Sequence, residues 1–236
     1  YCPQGTASPE PCLPGKYSKA VLQSNASTCS DCPGGYECPS AGTVNQTADA
    51  CPAGFYCPVG TANHATTPCT LGHFCAGGDA APVSCVAGTY QDLTGQSSCK
   101  TCPAGHYCDG GTVAPVVCPE GHYCLGGTSF STEYPCPAGT FSNATQLSLE
   151  SECTSCTPGM YCETSGLVEP TGECDAGYKC GGGSATATPF NSTLALYPGC
   201  PDSELSSAAT NDICPQGHYC PQGTASPEPC LPGKYS

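Results

Sequence analysis

Aromatic side chains recur along this sequence in a fixed frame, C-x-x-G-x-aromatic. It begins at Cys12, Cys32, Cys51, Cys69, Cys85, Cys102, Cys118, Cys136, Cys156, Cys174, Cys214 and Cys230. Successive starts lie 16 to 20 residues apart, except for one gap of 40 that Cys200 divides as a degenerate thirteenth start. All twelve full repeats carry the Gly; the aromatic stands sixth in ten of them and fifth in two, at Tyr36 and Tyr178. Pro in the second position and Gly in the fourth suit a tight turn, the one fixing φ and the other permitting φ > 0. Eight repeats close with a second Cys, as in Cys102 and Cys108, and run into Gly/Thr/Pro stretches such as D-G-G-T-V-A-P that read as another turn. This pattern predicts small disulfide-rich repeats: an elongated array of short β-hairpins and loops, with almost no helix and no conventional hydrophobic core.

Composition sharpens that picture. Leu, Ile, Val and Phe number only 27 of 236 residues, whereas Cys numbers 25. A chain so poor in apolar surface offsets its backbone entropy by cross-linking, each bridge over ten to twenty residues contributing roughly 3 kcal/mol. That chemistry requires an oxidising compartment. Four of the six Asn occupy N-x-S/T acceptor sequons, at Asn25, Asn45, Asn143 and Asn191, which adds the expectation of a secreted, glycosylated protein at the cell surface. The only cofactor-like groups expected are covalent glycans. Net charge is −14, with five Lys and no Arg, so nucleic acid is excluded as a partner. No apolar run spans a bilayer, and no membrane insertion is expected of this segment.

Three C-x-x-C steps, Cys29 with Cys32, Cys99 with Cys102 and Cys153 with Cys156, follow repeats that lack a closing Cys. They divide the chain into residues 1–11, the end of a preceding repeat; block 12–84; block 85–135; block 136–199, with a Ser/Thr/Gly-rich spacer; a degenerate unit, 200–218; and 219–236. The spacer holds Phe190, Leu194, Leu196 and Tyr197 as apolar candidates for docking another chain.

The stretch C-V-A-G-T-Y-Q-D-L-T-G-Q-S-S-C-K-T-C-P-A-G-H-Y-C, from Cys85 to Cys108, resembles the cysteine-rich repeats of the ephrin-receptor-like and growth-factor-receptor type. These are cousins of the tumour-necrosis-factor-receptor modules and occur in receptor ectodomains, matrix proteins and protist surface fibrils and mastigonemes. Similar units cover nearly the whole chain. The resemblance implies a first-to-second, third-to-fifth, fourth-to-sixth pairing: Cys85 with Cys99, Cys102 with Cys118 and Cys108 with Cys124, then Cys136 with Cys153, Cys156 with Cys174 and Cys162 with Cys180. The block from Cys12 carries an extra pair, Cys69 and Cys75, and suits a staircase joining each closing Cys to the next opening one. Both pairings stay open at the level of sequence.

Thiolate pairs in C-x-x-C also suit zinc or redox exchange, but cysteines spread along an array with sequons read as structural disulfides. His73, His106, His122 and His218 share the fifth slot of the repeat, elsewhere filled by Lys, Phe, Thr or Met, which reads as a turn tip. No nucleophile elbow, phosphate loop or dinucleotide fingerprint is present, and an enzyme is not expected.

Residues 1–18 recur without change as residues 219–236, which marks a period of 218 residues. One period holds 23 Cys, so at least one lacks a partner inside its own copy; Cys2, Cys220 and Cys200 are the candidates for a bridge across a repeat junction or to another chain, with a free thiol as the alternative. Identical periods point to copies of this chain joined head to tail in a filament or surface coat. The competing expectation is a receptor-like or adhesive ectodomain that binds a ligand.

Overall fold

A computed structural model describes residues 1–47, 49–189 and 211–231. The fold is a succession of antiparallel two-stranded hairpins, nine in all among the described residues, with three single-turn 3₁₀ segments and no α-helix. In each hairpin the fifth and sixth residues of one repeat pair with the residues just before the next opening Cys. Thr89–Tyr90 pairs with Lys100–Thr101, and His106–Tyr107 with Val116–Val117. The repeats at Cys51 and Cys118 make the same connection by single bridges, Phe55 to Pro68 and His122 to Pro135.

The turn expected from Pro and Gly forms at positions two to five. His106 N–H donates to the Pro103 carbonyl at 3.2 Å, and Gly105 takes φ +78°. A positive φ in the third turn residue admits Gly without penalty and burdens every residue with a Cβ. The turn returns the chain on itself, so the first and seventh residues of a repeat meet with Cα atoms about 6 Å apart, within reach of a disulfide.

Eleven disulfides among the described residues form the core. Most bridged cysteines are buried, and the remaining fully buried side chains are small or polar, such as Gln91 and Thr128. Aromatic residues such as Tyr90, Tyr107 and Phe141 are half-buried. Leu13, Val21, Val44 and Val86 are exposed, so apolar burial contributes little to this fold. The chain forms two compact units, one of Tyr1–Cys102 and Cys108–Pro115, the other of Pro103–Tyr107 and Val116–Ser236.

Candidate functional site: the stacking ladder

From the repeat at Cys12 to that at Cys102, and again from Cys118 to Cys214, consecutive repeats are joined by the same four main-chain hydrogen bonds. Between the repeats at Cys32 and Cys51, Gly35 N–H donates to the Cys57 carbonyl (2.8 Å), Cys51 N–H to Gly35 (2.9 Å), Cys38 N–H to Thr61 (3.0 Å) and Gly60 N–H to Cys32 (2.8 Å). In the second unit, the repeats at Cys136 and Cys156 reproduce the set with Gly139 to Cys162, Cys156 to Gly139, Ser142 to Leu167 and Gly166 to Cys136. Only main-chain atoms take part, so the ladder tolerates almost any residue in the variable slots.

A second contact reaches one repeat further. A Cβ built on Gly35 would lie 2.4 Å from the carbonyl oxygen of Gly78, two repeats on; on Gly121 it would lie 2.4 Å from Gly166, and on Gly159 2.4 Å from Gly223. The fourth-position Gly is thus required twice, for its positive φ and for the approach of a carbonyl from the second neighbour. The sequence displayed the invariant Gly, but only the first of these reasons could be read from it.

The acceptor-side turn of each repeat needs a residue at positive φ. Gly60, Gly78, Gly111 and Gly166 fill it in repeats closed by Cys or followed by a G-T step. Where the closing Cys is missing, the position falls ten residues after the opening Cys, on Gly95, on Gln146 (φ +68°) and on Leu22 (φ +61°). Leu22 and Gln146 gave no signal in the sequence, because neither residue type favours that conformation.

The disulfides depart from both pairings expected of the sequence. Cys85 joins Cys99 and Cys136 joins Cys153, as the receptor-type resemblance implies. Cys102, however, joins Cys108, and Cys118 joins Cys124; Cys156 joins Cys162, and Cys174 joins Cys180. The staircase fails too, since Cys32 joins Cys38, Cys51 joins Cys57 and Cys69 joins Cys75. The physical reason is the turn: it places positions one and seven face to face inside one repeat, whereas the ladder separates equivalent cysteines of successive repeats by a layer of main-chain hydrogen bonds. Where position seven is Ser or Gln, the opening Cys reaches instead to the first Cys of the C-x-x-C step, as in Cys12 with Cys29. Each C-x-x-C therefore divides between two bridges.

Among the cysteines offered for a cross-link, Cys220 is bonded to Cys214, which corrects its candidacy. Cys2 is free and exposed, Cys230 is free and half-buried, and Cys200 lies outside the described residues. Asn191 and the apolar candidates Phe190, Leu194, Leu196 and Tyr197 also lie outside them. Asn25, Asn45 and Asn143 are exposed. In the first two sequons the hydroxyl two residues on turns back to the Asn carbonyl: Thr47 Oγ1 donates to Asn45 Oδ1 at 3.1 Å, and Ser27 Oγ donates to Asn25 Oδ1.

The fifth-slot histidines are each tied to their own turn. Nδ1 of His73 lies 2.8 Å from the Leu71 carbonyl and that of His122 3.1 Å from Glu120. Among the described residues no group of three or more His, Cys, Asp or Glu is placed to hold a metal ion, and no helix is long and apolar enough to cross a membrane. A cavity of about 150 Å³ lies between residues 1–12 and the loop that carries Gln23 and Thr28. Pockets for small organic ligands run from roughly 300 Å³ upward.

Fold and site together define a disulfide-stapled hairpin-repeat protein whose repeats stack through the main chain, and so many bridges belong in an oxidising environment. No protein-family model and no curated protein matches the sequence.

Proposed function

We propose that this chain is an extracellular structural glycoprotein, a tandem-repeat segment that assembles head to tail into a filament or surface coat. The observation that carries the reading is the ladder: each repeat offers its successor the same main-chain donors and acceptors, so the stacking recurs while the variable slots do not matter. Nearest-neighbour energetics of this kind build one-dimensional arrays. The return of residues 1–18 as 219–236 supports it, because an array needs equivalent junctions. Local structure returns with the sequence: Thr6 Oγ1 donates to the Pro3 carbonyl at 2.6 Å and Thr224 Oγ1 to Pro221 at 2.5 Å. Catalysis has no part in this reading, and glycans on the exposed sequons would keep the array soluble.

The test is secretion of the chain from a glycosylating host, followed by electron microscopy, small-angle scattering and glycopeptide mass spectrometry. The expected result is fibrous assemblies, a radius of gyration well above the ~18 Å of a compact domain of this length, and glycan on at least two sequons. A compact monomer that does not assemble at any concentration overturns the reading and favours the receptor-like module.

A further inference from the structure

In most hairpins the residue two places before an opening Cys lies across from the sixth-position aromatic of the preceding repeat. Val83 faces Phe74, Lys100 faces Tyr90, Val116 faces Tyr107 and Gly172 faces Tyr161. In the repeat at Cys118 this slot holds a second aromatic, Tyr134, opposite Tyr123. Tyr123 N–H donates to the Tyr134 carbonyl at 3.0 Å. The rings stack, with centroids 5.6 Å apart and planes 30° from parallel, within the favoured range for an aromatic pair. Among the described residues no other two tyrosine rings are in contact.

The pair sits where the main chain is weakest. Pro135 follows Tyr134, and a proline has no N–H with which to extend the hairpin, so His122 meets it in a single bridge. The repeat at Cys51 carries the same feature at Pro68, and there the Thr67 hydroxyl ties the strands by donating to the Tyr56 carbonyl at 2.5 Å. Tyr134 stands in the place of Thr67, and ring against ring is what this hairpin has instead. Both rings are half-buried, so part of each meets solvent. Each phenol also has a carboxylate beside it. The Tyr123 hydroxyl donates to Glu150 at 3.3 Å, and burial followed by the Glu150 charge raises its pKa. A hydrogen bond to Glu133, with that carboxylate's charge, raises the pKa of Tyr134. Both phenols are therefore protonated at neutral pH, and each has a base in place to take its proton.

We propose that Tyr123 and Tyr134 are a site of oxidative cross-linking, joined as dityrosine by a haem peroxidase that uses hydrogen peroxide. This goes beyond the structural reading above and stands whether or not the chain assembles. Each tyrosine loses one electron to the oxidised haem as its phenolic proton passes to the neighbouring carboxylate, Glu150 for Tyr123 and Glu133 for Tyr134. The two phenoxyl radicals carry unpaired density on the ring carbons ortho to oxygen. A Cε of one ring bonds to a Cε of the other, and the hydrogen on each of these carbons moves as a proton to its own oxygen, restoring both phenols. Two tyrosines and one hydrogen peroxide thus give one dityrosine and two waters, the electrons passing through the haem and the protons through the carboxylates. Rings already stacked in one hairpin couple without a diffusive encounter, so in dilute solution the pair outcompetes coupling between chains. The bond pins the hairpin that Pro135 weakens, and unlike the disulfides it survives reduction.

The experiment treats the full chain, dilute and with its free thiols alkylated, with a haem peroxidase and limiting hydrogen peroxide, and reads dityrosine fluorescence in the isolated monomer. Reduction and cleavage after Glu then separate residues 121–133 from residues 134–150, unless a dityrosine holds them together. The expected product is that linked pair, lighter than the sum of its parts by two hydrogens. Tyr134→Phe should lose dityrosine from the monomer, whereas Tyr161→Phe, at a ring that faces Gly172, should keep it. Glu150→Gln should slow the coupling by roughly tenfold or more while giving the same product. Protection of the Gln146 and Gly166 amides from hydrogen exchange shows that each variant is folded, since both amides belong to the ladder. Dityrosine that survives in the Tyr134→Phe monomer, links found only between chains, an unchanged rate in Glu150→Gln, or oxidation of tyrosine with no coupling each overturns the site.

Discussion

The repeats at Cys102 and Cys85 adjoin in sequence and differ in how they close. In the first, position seven is Cys108, and the bridge spans six residues inside the turn. In the second, position seven is Gln91, and Cys85 is bridged across fourteen residues to Cys99. Gln91 takes the buried place of the missing sulfur: it is 1% exposed, its Nε2 donates to the Ser98 carbonyl at 2.7 Å, and its Oε1 accepts from Leu93 N–H at 3.1 Å. The main chain does not register the change, since Gly72 donates to the Gln91 carbonyl as Gly88 donates to that of Cys108, both at 2.8 Å. The ladder therefore sets the position of the backbone, and the disulfide is a staple that can be moved without disturbing it. Ser142 makes the same point, buried at position seven with its hydroxyl exchanging hydrogen bonds with Ala144.

If the ladder is primary, the largest effect belongs to a Gly that the second neighbour presses upon. Gly121→Ala combines a positive-φ penalty with a Cβ driven into the Gly166 carbonyl and should cost about 4 kcal/mol. Gly177→Ala, with the same φ sign but open space, should cost only about 1 to 2 kcal/mol. Thermal unfolding monitored by hydrogen exchange in the flanking hairpins compares them, and equal losses would show that the second-neighbour contact does not matter.

Removing staples comes next. Cys85→Ser with Cys99→Ser should cost about 3 kcal/mol and Cys102→Ser with Cys108→Ser about 2 kcal/mol, because the longer loop releases more chain entropy. The reverse order in denaturant titration would place native-state packing above loop entropy. Gln91→Ala should follow at about 2 kcal/mol, since it strands the Ser98 carbonyl and the Leu93 N–H. The most direct test of a movable staple is Gln91→Cys with Cys99→Ser, which shifts the bridge to position seven. Stability within about 1 kcal/mol of the parent is expected, with peptide mapping finding Cys85 bonded to the introduced thiol.

The smallest effect is a titration. The backbone N–H groups of Ser148 and Leu149 donate to the Glu152 carboxylate and hold its pKa below the ordinary value. A depressed folded-state pKa stabilises the loop above the ordinary carboxylate range, and that stabilisation is lost as pH falls through the lowered value. A chemical-shift titration should find Glu152 among the last carboxylates to protonate, and Glu152→Gln should remove the acid-side loss of protection at Ser148.

Much of this protein was legible in the sequence because its information is local. Gly and Pro at fixed offsets in a six-residue frame determine a turn, the turn determines a hairpin, and a chain with so few aliphatic residues can have no core but its cysteines. Bridges such as Cys85–Cys99 and Cys136–Cys153, which span repeats without a closing Cys, were accessible by resemblance. The partners of Cys102, Cys118, Cys156 and Cys174 were not, because spacing alone allows several pairings and only the folded turn shows which sulfurs meet. The ladder itself left no trace, for main-chain hydrogen bonds impose no side-chain identity; nor did the conformation of Gln146, whose N–H donates to Cys118 one repeat away and whose carbonyl lies against Gly105 two repeats away. Local sterics fixed the repeat, and the stacking of one repeat on the next, a property of the backbone that every residue shares, could be decided only in three dimensions.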